Sequence, residues 1–188
     1  LAQPLYQSCV YRLPDLDTLD RISDGEEPGF IYARDGHPNA RQLGDALAVL
    51  EGAKWAFVTG SGMGALAAAC LACVGSSERI IASNRLYGRT TNLLRQELRR
   101  FGVTCDFVDC NDLDKVRAAL QSPAKLLLVE TISNPLLRIV DVPALAEIAH
   151  SHQCRLLVDN AFASPALFRP IEHGADIVME SLTKMIGG

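Results

Sequence analysis

Little in this chain would draw it to nucleic acid or into a lipid bilayer. Its 18 Lys and Arg are outnumbered by 22 Asp and Glu, for a formal charge of −4, and no basic run supplies the footprint that a phosphate backbone demands. Apolar stretches of membrane-spanning length are missing, and Leu1-Ala2-Gln3-Pro4 shows no basic segment followed by an apolar one. These absences predict a cytoplasmic protein with neither nucleic-acid nor membrane partners. Internal repeats and low-complexity tracts are lacking too. The six cysteines, Cys9, Cys70, Cys73, Cys105, Cys110 and Cys154, fall mostly in apolar segments, unlike the disulfide framework of a short secreted chain. Cys70 and Cys73 form a C-x-x-C, but in a helical apolar run with no second ligand pair nearby, so they read as core thiols and no metal is expected.

What is present is 188 residues, 48% hydrophobic and 21% charged, enough for an ample core in one or two domains. Short β-branched runs alternate with longer helical patterns, the signature of parallel βαβ units and hence of an α/β fold with a mostly parallel sheet flanked by helices. Strands are predicted at Trp55 to Thr59, Arg79 to Ser83, Thr104 to Val108, Lys125 to Glu130, Arg155 to Asp159 and Asp176 to Met179. Helices are predicted at Arg41 to Glu51, Gly62 to Cys73, Thr90 to Phe101, Leu113 to Leu120 and Val142 to His150, with Gly52 and Gly102 closing two of them. Residues Leu1 to Pro38, rich in Pro, Asp and Gly with little periodicity, read as an extended arm, and 39–188 as the binding domain. Trp55 is expected to pack at the start of the first strand. His150, His152 and His173 read as helix-end residues, and the acids from Asp15 to Glu27 as a solvated part of the arm.

In open α/β sheets ligands bind beyond the carboxyl ends of the strands, and here those ends carry polar chemistry in succession. Thr59-Gly60-Ser61-Gly62-Met63-Gly64-Ala65 is a glycine-rich turn opening a helix, suited to phosphate through its backbone N–H groups. The same turn fits G-x-G-x-x-A, but the next strand ends Ala82-Ser83-Asn84 without the acid a dinucleotide ribose requires. The later strand ends lead to Tyr87-Gly88, to Glu130 through Pro135, to Asp159-Asn160, and to Ser181, Thr183 and Lys184. A lysine after two hydroxyl residues, with a carboxylate on an earlier strand end, is what a pyridoxal phosphate site needs. The lysine can form the Schiff base, the hydroxyls can hold phosphate, and the aspartate can keep the pyridine nitrogen protonated.

Six segments in order resemble the pyridoxal-phosphate enzymes of cysteine and methionine metabolism, the trans-sulfuration family of cystathionine synthases and lyases, methionine γ-lyases and homoserine-ester sulfhydrylases. They are Tyr32 to Pro38, Ser61-Gly62-Met63, Tyr87 to Thr90, Glu130 to Pro135, Val158 to Pro165 and Ser181 to Gly188. The resemblance implies a fold-type I cofactor domain in which Lys184 carries the cofactor and shuttles protons as a neutral amine in a shielded site, while Asp159 pairs with the ring nitrogen. It places Tyr87 over the ring as a second catalytic residue whose phenol acts in proton transfer, and gives the phosphate to the N–H groups of Gly62 and Met63 and the hydroxyls of Ser181 and Thr183. Asn134 would approach the cofactor or the substrate. Tyr32 and Arg34 would reach the phosphate of a neighbouring subunit, implying a homo-oligomer, a dimer or a dimer of dimers.

The implied reaction is γ-replacement or elimination on homoserine esters or cystathionine-like amino acids. Asn92 stands where cystathionine synthases and γ-lyases usually place arginine, and Arg89 where methionine γ-lyases carry cysteine, which favours sulfhydrylase chemistry over the lyase alternatives. Glu180 and Leu182 occupy positions where relatives often have His and Ala. Family members run to roughly twice this length, so the substrate-carboxylate arginine is expected beyond Gly188. The competing reading is a truncated, non-catalytic cofactor-binding or interaction protein.

Overall fold

The structure is a computed structural model describing residues 4–187. The chain divides into two compact units, one ending at Val58 and the other beginning at Thr59.

In the first unit two helices form. Helix α1, Leu16–Ser23, begins where the Asp15 carboxylate accepts the Thr18 N–H, with Asp17 in its first turn, so two of the acids read as solvated are helix-start residues. Glu27 pairs with Arg21 at 2.9 Å. The expectation of an arm without periodic structure is corrected here: the Asp15 cap and the pairing around Arg21 nucleate a helix too short to register as a pattern. Helix α2, Pro38–Glu51, starts earlier than predicted, because Pro38 suits a first helical turn and the His37 ring caps it. Gly52, at φ 69°, closes it. The segment predicted as a strand from Trp55 to Thr59 pairs with no strand. Trp55 and Phe57 point outward, 74% and 78% exposed, so Trp55 does not pack as expected. The residues do alternate outward and inward, but alternation becomes a strand only where a neighbouring backbone accepts its hydrogen bonds.

The second unit is built on a five-stranded sheet, ordered β2-β1-β3-β4-β5 and parallel throughout. Its strands are β1 (Arg79–Ser83), β2 (Thr104–Val108), β3 (Leu126–Glu130), β4 (Arg155–Asp159) and β5 (Ile177–Met179). Around them lie α3 (Gly62–Cys73), α4 (Gly88–Asn92) running through a π-helical turn at Leu93–Glu97 into α5 (Leu98–Arg100), α6 (Leu113–Leu120), α7 (Val142–Ser151) and the short α8 (Ser164–Leu167). Every residue of β3 is buried, as expected of a central parallel strand covered on both faces. Period two sorts the side chains: Ile80, Leu126, Leu128, Leu157 and Met179 share a core with Leu66 and Cys70 of α3, while Ile81, Leu127, Val129, Leu156 and Val158 pack with Val116 of α6 and Leu145 of α7. Chain order reverses between β1 and β3, whose neighbours lie on opposite sides, so the crevice of an open α/β sheet falls at their carboxyl ends. Among the described residues no helix is long and apolar enough to cross a membrane.

Candidate active site

Two neighbouring strands on one side of the switch point end in the same way. β3 runs Leu-Leu-Leu-Val-Glu and β4 runs Arg-Leu-Leu-Val-Asp, and their registered last residues are Glu130 and Asp159. Both carboxyls therefore leave the sheet on the α3 face, and both are buried, 4% and 9% exposed. The Asp159 carboxylate accepts the Ala161 N–H at 3.0 Å, yet burial still pushes its pKa from 3.8 up to about 6. Burial likewise raises Glu130 from 4.5 to about 7, aided by the nearby Asp159 charge and opposed by two N–H groups. Among the described residues neither carboxylate has an ion-pair partner. A buried carboxylate without a cation is costly, and the chemistry that relieves it is a positive charge brought by a ligand.

The two N–H groups that Glu130 accepts tie the loops on either side of the switch point. Oε1 takes the Tyr87 N–H at 2.5 Å, beyond β1, and Oε2 takes the Asn134 N–H at 3.1 Å, beyond β3. Tyr87, 45% exposed, thus stands in the crevice with its backbone fixed from beneath. Glu130 opens the Glu130 to Pro135 segment, yet the sequence does not single it out as a site residue. The signal that could have found it is the acid ending an otherwise apolar buried strand.

A second cluster forms where α3 begins. Ser61 caps the helix, its hydroxyl accepting the Gly64 N–H at 3.0 Å, which leaves the Gly62 and Met63 N–H groups without intrahelical carbonyls. A Cβ at Gly62 would lie 3.2 Å from both Cβ and Oγ of Ser181, so the missing side chain is what lets the β5 end approach the helix start. Backbone donors, a helix dipole and a serine hydroxyl converge there, a donor set that fits a phosphate. Past Ser181 the chain turns, with the Lys184 N–H donating to the Ser181 carbonyl at 2.9 Å. A side chain at Gly187 would collide with the Leu182 carbonyl, so that turn closes only on glycine. Thr183 and Lys184 lie exposed on it. The shielded surroundings expected for Lys184 are therefore not supplied by the described residues, because the turn follows β5, the edge strand.

Of the predicted site residues, Gly62 and Ser181 come together, and Asp159 lies in register beside Glu130, which holds the Tyr87 and Asn134 backbones. Tyr32 and Arg34 belong to the first unit, where the guanidinium carbon sits 5.0 Å from the tyrosine ring centre, a cation–π contact that keeps both exposed groups side by side.

A parallel sheet with paired buried carboxyls beside its switch point and backbone donors at a helix start is an architecture suited to a cofactor-dependent α/β enzyme. The family model described as Cys/Met metabolism PLP-dependent enzyme matches residues 1–188, and the chain belongs to that family. It is 40% identical over its whole length to an L-methionine gamma-lyase of Porphyromonas gingivalis, covering 47% of that protein. It is 42% identical over 87% of its length to an O-succinylhomoserine sulfhydrylase of Pseudomonas aeruginosa, covering 41% of that relative. A crystal structure from Campylobacter jejuni, assigned as an O-acetylhomoserine (thiol)-lyase and carrying an N'-pyridoxyl-lysine-5'-monophosphate, superposes with a TM-score of 0.93 at 32% identity, over 97% of this chain and 45% of that one. The chain spans about half the length of the curated relatives it matches.

Proposed function

We propose that the whole protein is a pyridoxal-phosphate-dependent enzyme acting on homoserine esters or cystathionine-like amino acids by γ-replacement or elimination. The observation that carries this reading is the pair of buried, cation-free carboxyls beside a helix-start phosphate cradle. When bound, pyridoxal phosphate supplies an electron-withdrawing ring that stabilises negative charge at the substrate α-carbon. Asp159 offers a full negative charge where the ring nitrogen would carry its proton, and that proton offsets the cost of burying the carboxylate. Gly62, Met63, Ser181 and Thr183 would hold the phosphate, and Tyr87 would cover the ring while Glu130 keeps its backbone from shifting. Lys184 Nζ is the group to take a proton from the α-carbon and return one further along the chain.

The exposed Asn92 and Arg89 support replacement over γ-elimination, while the relatives include both a methionine gamma-lyase and sulfhydrylases. Borohydride reduction of the full-length protein with pyridoxal phosphate, followed by peptide mass mapping, tests the cofactor site. Labelling on Lys184 that vanishes in Lys184→Ala is expected; a folded full-length protein that takes no label would overturn the reading. Parallel assays of sulfide addition to a homoserine ester and of elimination from cystathionine then separate the reactions. Tyr32 and Arg34 are assigned to the phosphate of a neighbouring subunit in a homo-oligomer. Mixing inactive Lys184→Ala and Arg34→Ala subunits should regain activity, and mixtures as inactive as their parents would contradict a shared site.

A further inference from the structure

Behind the carboxyl pair, on the α6 and α7 face of the sheet, runs a second row of polar side chains one residue beyond the strand ends. Thr131 follows Glu130, Asn160 follows Asp159 and Glu180 follows Met179, so period two turns all three away from the candidate cofactor. They are joined in a line. The Thr131 hydroxyl donates to Asn160 Oδ1 at 2.7 Å, and Asn160 Nδ2 donates to Glu180 Oε1 at 2.8 Å and to the Phe168 carbonyl at 2.9 Å. Asn160 is fully buried, and both protons of its amide are committed. Its backbone is equally occupied, donating to the Met179 carbonyl and accepting from Ala163 and Ser164.

The line matters because the backbone ladder ends with it, the last main-chain bonds being the Thr131 N–H to the Asp159 carbonyl and the Asn160 N–H to the Met179 carbonyl. Pairing between β4 and β5 ends at Asp159 and Met179, and β5 is a three-residue edge strand with a neighbour on one side only. Ser181, which must meet Gly62, lies two residues past the last rung. One residue beyond that last main-chain bond, the side-chain bond from Asn160 to Glu180, a charge-assisted one when Glu180 is ionised, extends the tie between the two strand ends toward Ser181.

We propose that Thr131, Asn160 and Glu180 form a positioning string that sets Ser181 and Asp159 in the relative placement the cofactor requires, with Glu180 as its end anchor. This rests on the cofactor site proposed above. None of the three belongs to the cofactor-holding set proposed above; Asn160 and Glu180 act through their covalent neighbours Asp159 and Ser181, and Thr131 acts through Asn160.

The test is titration of the full-length protein with pyridoxal phosphate, following absorbance and induced circular dichroism, alongside its melting temperature without cofactor. Glu180→Ala should bind the cofactor about tenfold more weakly, the loss of one charge-assisted hydrogen bond, with an altered dichroism band. Glu180→Gln keeps an acceptor for Asn160 and should restore binding to within about threefold. Thr131→Val, which alters no charge and serves if Glu180→Ala does not fold, should weaken binding about threefold. Arg79→Ala, at the opposite end of the sheet, should lower the melting temperature and leave affinity and dichroism unchanged. Wild-type affinity in both Glu180→Ala and Thr131→Val, or weakening by Arg79→Ala equal to theirs, overturns the string. Failure of the wild type itself to bind would instead overturn the cofactor reading.

Discussion

The two ends of the one parallel sheet treat charge in opposite ways. Where the strands begin, charges meet partners: Arg79 contacts Asp106 at 2.5 Å and donates to the carbonyls of Pro123, Ala119 and Ser122, Lys125 lies 3.8 Å from Glu78, and Asp176 meets the His150 ring at 2.9 Å and the Leu156 N–H at 2.7 Å. Where the strands finish, Glu130 and Asp159 are buried side by side, and among the described residues no cation answers them. One end is satisfied by its own chain and serves stability. At the other end, although Arg85 lies 3.9 Å from Asp109, the buried carboxyls of Glu130 and Asp159 have no partner cation among the described residues, a burden that a proton or a cation brought by a ligand would relieve.

The contrast is broken most severely by Asp159→Asn. The amide keeps the shape and loses the charge, so kcat/KM of the full-length protein should fall about 10³-fold, while the cofactor-free protein at pH 8 becomes more stable for want of a buried ion. Activity within a few-fold of wild type would remove the carboxylate from the reaction.

A second effect comes from pH. Folded Asp159 and Glu130 titrate at about 6 and about 7, above their ordinary 3.8 and 4.5. Between those limits the folded state holds more protons than the unfolded one, so these groups make stability fall as pH rises through about 4 to 7, by about 3 kcal/mol each and about 6 kcal/mol together without cofactor. Urea midpoints of wild type and of the Asp159→Asn, Glu130→Gln double variant, compared from pH 4.5 to 8, isolate this contribution. Equal pH slopes in the two proteins would refute it.

At the paired end, Arg79→Ala should cost about 2 kcal/mol, since it strips donors from three carbonyls and frees a mostly exposed Asp106. Denaturant unfolding reads that loss, and turnover of the surviving folded protein should be unchanged.

Much of this was legible in the sequence, for physical reasons. Buried parallel strands announce themselves as short apolar runs, and Arg79–Ser83 and Arg155–Asp159 fall where the runs placed them, as does the partly exposed edge strand Thr104–Val108. Gly62–Cys73 and Leu113–Leu120 have the bounds their apolar spacing predicts, and in the structure Ser61 and Asp112 cap them through their side chains. The misses have causes as definite. Trp55 to Thr59 alternates like a strand, but pairing is a property of neighbours that sequence does not display. The helix Leu16–Ser23 is a single short element held by its cap, below the length at which periodicity speaks. The helix predicted from Thr90 starts at Gly88 and passes through a π-helical turn at Leu93–Glu97, an irregularity no apolar spacing encodes. At the site, the chemically distinctive residues were readable one at a time. Glu130 escaped because its part depends on which backbone N–H groups the β1 and β3 loops bring to it, and that is decided by strand order.

The central claim, that the carboxyl end of the sheet holds charge awaiting a cation, is tested most directly by titrating the side-chain carboxyls of carbon-13-labelled full-length protein by NMR, with Asp159→Asn and Glu130→Gln assigning the signals. The account predicts midpoints near about 6 for Asp159 and about 7 for Glu130 without cofactor, and a fall in the Asp159 midpoint when pyridoxal phosphate binds. Midpoints at the ordinary carboxylate values, unmoved by the cofactor, would contradict it.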